Sequence, residues 1–300
     1  MKKKAVLFMF LVLMTACSTA QRQTAALVFQ SDFGVKDAAV ASMKGVAYGV
    51  SPGLNMFDLT HEIPAFNVWE AAQRLVQTAE YWPSGTVFVS VVDPGVGTKR
   101  KSVVLKTKTG HFFVTPDNGT LTLVAEQMGV AALREIDEAV NRLKNSEQSY
   151  TFHGRDVYAY TGARLAAGVI TFEQVGQLLD PTVVSIPYQK AAVKDGVVYG
   201  NIPILDIQYG NIWTNIDRET FKKLGLKFGD NVSIKISNGD EIVWDSTLPY
   251  FATFGGVAVG QPLLYLNSLN NVSLAINQGS FAKTYGIASG PKWNVEIRKE

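Results

Sequence analysis

The chain has 300 residues, 47% of them hydrophobic, with 28 Lys and Arg against 26 Asp and Glu and a single cysteine. A balance so close to neutral lacks the basic stripe that nucleic acid requires, and one cysteine excludes an internal disulfide framework. The apolar content builds a sizeable core, and the length suggests two domains.

In chain order, Lys2, Lys3 and Lys4 precede an apolar run from Ala5 to Met14, and Thr15-Ala16-Cys17 follows. A basic start, a short apolar stretch and a small residue at the break form a secretory signal. The run is too short to span a bilayer, which needs roughly 20 residues. The stretch LMTAC resembles the lipobox of bacterial lipoproteins. That resemblance implies cleavage after residue 16, a lipid on the Cys17 thiol, and tethering to the bacterial cell envelope. Ser18 does not signal inner-membrane retention, which leaves a periplasmic-facing or outer-membrane location. An ordinary signal peptide followed by a chance cysteine is the alternative. Loss of residues 1–16 removes three lysines and no acids, leaving 25 basic against 26 acidic side chains, a net charge of −1. Residues 17–25 read as a polar tether.

From residue 26 to about 190 the pattern alternates. ALVFQ (26–30), LNMFDL (54–59) and TVFVSVV (86–92) read as strands, the last of them covered on both faces. KDAAVASMKGVAYGV (36–50) and NVWEAAQRLVQTAEYW (67–82) carry helical spacing, the second stopped by Pro83. Short strands near 102–107 and 111–115 and helices near 120–128, 155–168 and 172–179 follow. Strands alternating with helices of this length predict a Rossmann-like α/β domain with a mainly parallel sheet. From 191 to 300, short runs such as NVSIKIS and EIVWDST, separated by Gly, Asn and Asp, predict an all-β, barrel-like second domain.

Three stretches carry candidate chemistry. Asp32 closes the first strand and Asp93 closes TVFVSVV, the edge at which open α/β sheets bind ligands. Asp32 could equally cap the next helix. After Asp93, the loop PGVGTK turns the chain so that Arg100 can return to the carboxylate. Its backbone N–H groups could form an anion- or water-binding concavity; a hairpin turn with one salt bridge is the plainer reading. His153, in TFHGRD, stands just ahead of a helix, where a purely structural histidine is the ordinary alternative. No set of His, Cys or carboxylates has metal-ligand spacing, so no metal is expected.

SDFGVKD, DLTHEIPAFNV, TVFVSVVDPGVGTKR, TPDNG, TFHGRD, LDIQYGN and YLNS, in this order, together resemble the S-adenosylmethionine hydrolases (adenosine-forming), relatives of the fluorinases and chlorinases. The resemblance runs from about Leu27 to the C-terminus. It implies an N-terminal α/β domain, a C-terminal β-barrel, and a homotrimer with active sites between subunits; S-adenosylmethionine is the substrate and there is no cofactor. It also implies roles for particular residues. An Asp–Arg–His triad falls on Asp93, Arg100 and His153, and a ribose-binding aspartate on Asp32. Phe66 stands where the halogenases place a Trp against the sugar. Asp206, Tyr209 and Asn211 match the motif that holds the methionine amine, stacks on adenine and bonds the adenine edge. Ser268 matches the serine at the methionine carboxylate, although NSLNN after it departs from a more Gly-rich pattern. Halogenases of this superfamily lack the carboxylate at Asp93 and carry a serine where this chain has Gly154.

The chemistry is consistent with that resemblance. A sulfonium is a good leaving group, so displacement at ribose C5′ needs a water held in line rather than a general acid. Asp93 can accept a hydrogen bond from that water while Arg100 holds the carboxylate in place. His153 then orients the water or accepts a proton. The reading is a hydrolase; the alternatives are a nucleoside- or S-adenosylmethionine-binding lipoprotein without turnover, a halogenase, and a structural envelope protein.

Overall fold

In a computed structural model that describes residues 25–300, strand β1 (Leu27–Ser31) leads into helix α1 (Ala39–Val50). β2 (Met56–Thr60), α2 (Val68–Ala79) and β3 (Val87–Val91) follow. Next come β4 (Ser102–Thr107), β5 (Phe112–Pro116), α3 (Thr122–Met128) and β6 (Val130–Glu135). A π-helical segment, Gly154–Ala159, runs directly into α4 (Tyr160–Ala166), and a short β7 (Leu178–Leu179) ends this part. The seven strands form one sheet in the order β2-β1-β3-β5-β4-β6-β7. The first four are mutually parallel and the last three antiparallel, so the sheet is mixed.

The fully buried β1 and β3 explain the layering. Leu27 and Phe29 face α1 and α4, whereas Val28 and Phe88 face α2 and α3. Phe88 and Phe113 stack at 4.9 Å in that second layer. Helix α1 therefore covers one face and α2 the other, and strand order reverses at β1. The carboxyl ends of β1 and β3 become the topological switch point at which such sheets bind ligands.

The expected helix over 172–179 is a correction. Only Phe172–Val175 is helical, as a 3₁₀ turn capped by Thr171 and Gln174. It stops at Gly176, where a Cβ would lie 2.2 Å from the Glu135 carbonyl oxygen. The chain then pairs with β6 as β7.

Beyond it lie β8 (Ala192–Lys194), β9 (Val197–Asn201), β10 (Ile204–Asp206), β11 (Asn211–Asp217), α5 (Arg218–Lys222), β12 (Asn231–Asn238) and β13 (Glu241–Pro249). β14 (Pro262–Leu266), β15 (Asn271–Ile276), α6 (Phe281–Tyr285) and β16 (Trp293–Lys299) complete the chain. The expected barrel-like closure is also corrected. The strands make two antiparallel sheets, β10-β11-β15-β14 and β13-β12-β16-β9-β8, around one apolar core. The sheets meet through a single Tyr250–Leu264 bridge and the Asn215 side chain on the Asn201 N–H, not through a continuous ladder. Trp69 Nε1 donates to the Pro203 carbonyl (3.1 Å), tying α2 to the loop before β10.

The lipobox and Cys17 lie outside the described residues. Among the described residues no helix is long and apolar enough to cross a membrane.

Candidate active site

At the carboxyl end of β3, Asp93 is aimed by its neighbours. Asn118, in TPDNG, donates through Nδ2 to the Val92 carbonyl (2.9 Å) and fixes the end of the strand. The loop after Asp93 closes on itself, with the Val96 and Thr98 N–H groups bonding the Asp93 and Gly95 carbonyls. At Gly97, φ is +76°, and a Cβ would meet the Tyr150 carbonyl at 3.0 Å, so only glycine fits. The turn returns Arg100 to Asp93, as the salt-bridge reading of the sequence required.

Every nitrogen of the Arg100 guanidinium is engaged. Nε donates to both Asp93 oxygens at 3.0 Å, and Nη2 donates to Oδ2 at 2.5 Å. Nη1 donates to Ser102 Oγ (3.0 Å), and Nη2 also donates to His153 Nδ1 (3.0 Å). Burial works against the cation, but the Asp93 hydrogen bonds, together with the electrostatic pull of Tyr158, Asp93 and Glu138, outweigh it and hold Arg100 more firmly charged than usual. Both side chains are nearly enclosed, at 5% exposure for Asp93 and 11% for Arg100.

An arginine has no acceptor, so His153 Nδ1 must accept and the ring proton sits on Nε2. That Nε2 is buried and has no hydrogen-bond partner among the described residues. His153 reaches this place because the π-helical segment starts across the ends of β1 and β3. A Cβ on Gly154 would lie 3.0 Å from Val91 Cγ1 and 3.2 Å from Phe33 Cε2. Such wide turns recur at functional sites.

Sequence reasoning missed the layer behind this triad. The buried Tyr158 hydroxyl lies 3.4 Å from Asp93 Oδ2 and 3.1 Å from Ser102 Oγ. Burial pushes its pKa far above the usual phenol value, so it stays a donor. A residue five positions after His153 on an apolar face reads as core, and nothing local marks its hydroxyl.

Asp32 and Phe66 share a cavity of about 240 Å³ with Asp93 and His153. Asp32 Oδ2 accepts the Phe66 N–H at 2.9 Å, and Phe66 is held at φ +67° and is 70% exposed as a residue.

The other four candidates gather elsewhere, in an open cavity of about 890 Å³ on the second half of the chain. Asn211 Nδ2 donates to Asp206 Oδ2 (3.2 Å) across the β10–β11 turn. Gly210, at φ +70°, lets that turn press against Ser280, whose Oγ would lie 1.9 Å from a Cβ. Tyr209 projects from the turn, 66% exposed. Ser268 lies on the β14–β15 turn, which Asn267 secures by accepting the Leu269 and Asn271 N–H groups. Asn270 adopts φ +59°, a conformation Asn tolerates, and so does there what a glycine would do. Within one chain Asp93 and His153 line one cavity and these four residues another. Among the described residues no cluster of His, Cys, Asp and Glu could hold a metal.

Residues 27–176 match the model of the SAM hydroxide adenosyltransferase N-terminal domain, and residues 200–294 that of its C-terminal domain. An (R)-S-adenosyl-L-methionine hydrolase of Methanocaldococcus jannaschii is 34% identical over 72% of this chain and 75% of its own. A fluorinase of Actinoplanes sp. is 30% identical over 88% of this chain and 95% of its own. A crystal structure of an uncharacterized conserved protein from Thermotoga maritima superposes with a TM-score of 0.81 at 35% identity. It covers 91% of this chain and all of that one.

Proposed function

The chain belongs to the SAM hydroxide adenosyltransferase family, and on that premise we propose that it hydrolyses S-adenosyl-L-methionine to adenosine and L-methionine. The observation that carries this reading is the closed Asp93–Arg100–His153 set beside Asp32. Binding alone has no need of a buried carboxylate clamped by arginine next to a histidine N–H without an acceptor.

A water between Asp93 and His153 would donate to Asp93 Oδ1 and accept from His153 Nε2. Asp93 Oδ2 already takes two N–H groups of Arg100, while Oδ1 takes one. Held there, the water oxygen attacks ribose C5′ as the C5′–S pair withdraws to sulfur. The products are neutral methionine thioether, adenosine and one proton, which leaves through Asp93. The binding energy is used to align nucleophile and leaving group, the largest contribution available when the leaving group is already activated. Chromatography of purified protein incubated with S-adenosylmethionine should show adenosine and methionine in equal amounts; unchanged substrate would refute the reading.

Halide transfer is the second reading, because relatives named fluorinase align over most of the chain. The retained carboxylate at Asp93 and the absence of a serine hydroxyl at Gly154 favour water.

Burial pulls the His153 pKa below the ordinary histidine value; Glu138 and Asp93 raise it, Arg100 and Arg142 lower it, and the net shift is downward. Protonation would turn Nδ1 into a donor facing Arg100, so the neutral ring is the active form. Activity should be full above pH about 6.5 and fall only as pH drops through a lower, shifted value. An acid limb of kcat/KM centred at or above 6.5 would contradict this role.

The homotrimer with sites between subunits is likewise a proposal, supported by the two exposed aromatics, Phe66 and Tyr209, on separate cavities. A mixture of Asp93→Asn and Asp206→Ala chains, co-refolded, should regain activity that neither has alone. Failure of every ratio to complement would place the whole site within one subunit.

For Cys17 we propose lipidation and an envelope location. Cys17→Ser should move the protein from the detergent phase to the aqueous phase with unchanged specific activity, because the described fold begins eight residues later at Ala25. Identical partitioning of mutant and wild type would rule out the anchor.

A further inference from the structure

The motif DLTHEIP contributes nothing to the triad, yet it holds a buried histidine. His61 is 4% exposed and sits in a continuous chain of hydrogen bonds that begins at the surface. Lys44 Nζ lies 2.6 Å from Asp58 Oδ2, Asp58 Oδ1 lies 3.0 Å from His61 Nε2, and His61 Nδ1 lies 2.7 Å from Ser31 Oγ. For a neutral imidazole the donors follow directly. Lys44 only donates and an ionised carboxylate only accepts, so the His61 proton is on Nε2 and points to Asp58. Nδ1 must then accept, and the Ser31 hydroxyl donates to it. Ser31 Oγ in turn accepts the Phe33 N–H at 3.3 Å. The same residue acts a second time through its backbone, because the His61 carbonyl accepts the Gly34 N–H at 2.7 Å.

Ser31 and Gly34 are thus held by His61 directly and Phe33 through Ser31 Oγ, and of this turn Asp32 and Phe33 line the cavity, Asp32 with the only ionisable side chain of the two. Ser31 cannot be a nucleophile here, since it is fully buried and lies outside the cavity lining. The network does not reach the Asp93–Arg100–His153 set.

We propose that His61 is a positioning residue for the sugar diol: through Ser31 and the Gly34 N–H it fixes the Asp32 turn so that the carboxylate meets the 2′- and 3′-hydroxyls of a bound ribonucleoside. This rests on the reading of Asp32 as the ribose ligand. A carboxylate recognises a diol only if both its oxygens are held in plane with the two hydroxyls. Asp32 Oδ2 is already fixed by the Phe66 N–H at 2.9 Å, which leaves the turn itself as the remaining freedom. Lys44 and Asp58 hold the imidazole in the required tautomer, as carboxylates do for metal-bound histidines.

The test compares adenosine with 2′,3′-dideoxyadenosine, which lacks both hydroxyls, by calorimetry on the full-length protein. Wild type should prefer adenosine by about tenfold or more, the value of a hydrogen bond to a charged group. Ser31→Ala, which changes little volume, and His61→Gln should each shrink that preference by about fivefold, with 2′,3′-dideoxyadenosine affinity nearly unchanged. A preference kept at the wild-type value in folded Ser31→Ala and His61→Gln overturns the proposal. Equal losses for both nucleosides also overturn it, since they mark a merely structural role. Asp32→Ala separates the two levels of the argument. If it abolishes the preference while the His61 and Ser31 variants keep it, only the positioning role fails. If Asp32→Ala itself keeps the preference, the ribose reading of Asp32 fails and the positioning role fails with it.

Discussion

Replacing Asp93 by Asn is expected to lower kcat by about two decades or more, with adenosine affinity nearly unchanged. Asparagine keeps an oxygen for Arg100 but loses the charge and one of the two acceptor faces that hold a water. It is a fairer test than alanine, because the pair is buried. Breaking a buried pair by removing one partner costs about 3–5 kcal/mol in stability, which would blur the kinetic reading. Nucleoside affinity should survive because Asp32, Tyr209 and Asn211 supply the contacts proposed for ribose and base. Steady-state rates and calorimetry on the same preparation decide the matter. An equal loss of adenosine affinity would make Asp93 a binding residue.

Asp93→Ala should convert a site that excludes chloride into one that binds it. A carboxylate about 4 Å from a halide repels it by roughly 4 kcal/mol at an effective dielectric near 20. That is about three decades in affinity. Without Asp93, Arg100 keeps its charge beside a neutral His153 and becomes an anion site. Chloride should then raise the melting temperature of Asp93→Ala progressively, as any ligand of the native state does, and leave wild type unaffected beyond the general effect of salt. Equal chloride responses in both proteins would remove the electrostatic basis for preferring water. Introducing serine at Gly154 would not by itself make a halogenase. Its Cβ would crowd Val91 Cγ1 at 3.0 Å and Phe33 Cε2 at 3.2 Å, and both belong to the packed ends of this sheet.

The sequence made these residues legible to different degrees. Asp32 and Asp93 could be read because each closes an apolar run, and strand ends of that kind are local. Arg100 followed because a Pro-Gly turn of fixed length brings it back. His153 needed the resemblance, since a lone histidine before a helix has no local meaning. Tyr158 and Ser102 were beyond reach: one lies inside a helical core face and the other on a buried strand, and only the fold brings their hydroxyls together. The partnership of Ser31 with His61 spans 30 residues and two strands in the same way. In the second half, short alternating runs correctly indicated an all-β unit, but closure depends on which edges meet, and that is a long-range property. The short helices α5 and α6, five residues each, are too brief to show a period. Gly176 misled the reading of 172–179, because its effect comes from a close approach to Glu135 that no neighbour in sequence reveals.

The central claim is that water, set by Asp93 and His153, is the nucleophile at C5′. Incubating the protein with S-adenosylmethionine in ¹⁸O-labelled water and molar chloride, followed by mass spectrometry of the nucleosides, tests it most directly. The expected result is adenosine alone, carrying one ¹⁸O at C5′, with methionine unlabelled. Appearance of 5′-chloro-5′-deoxyadenosine in amounts rivalling adenosine, or adenosine without the label, would contradict it.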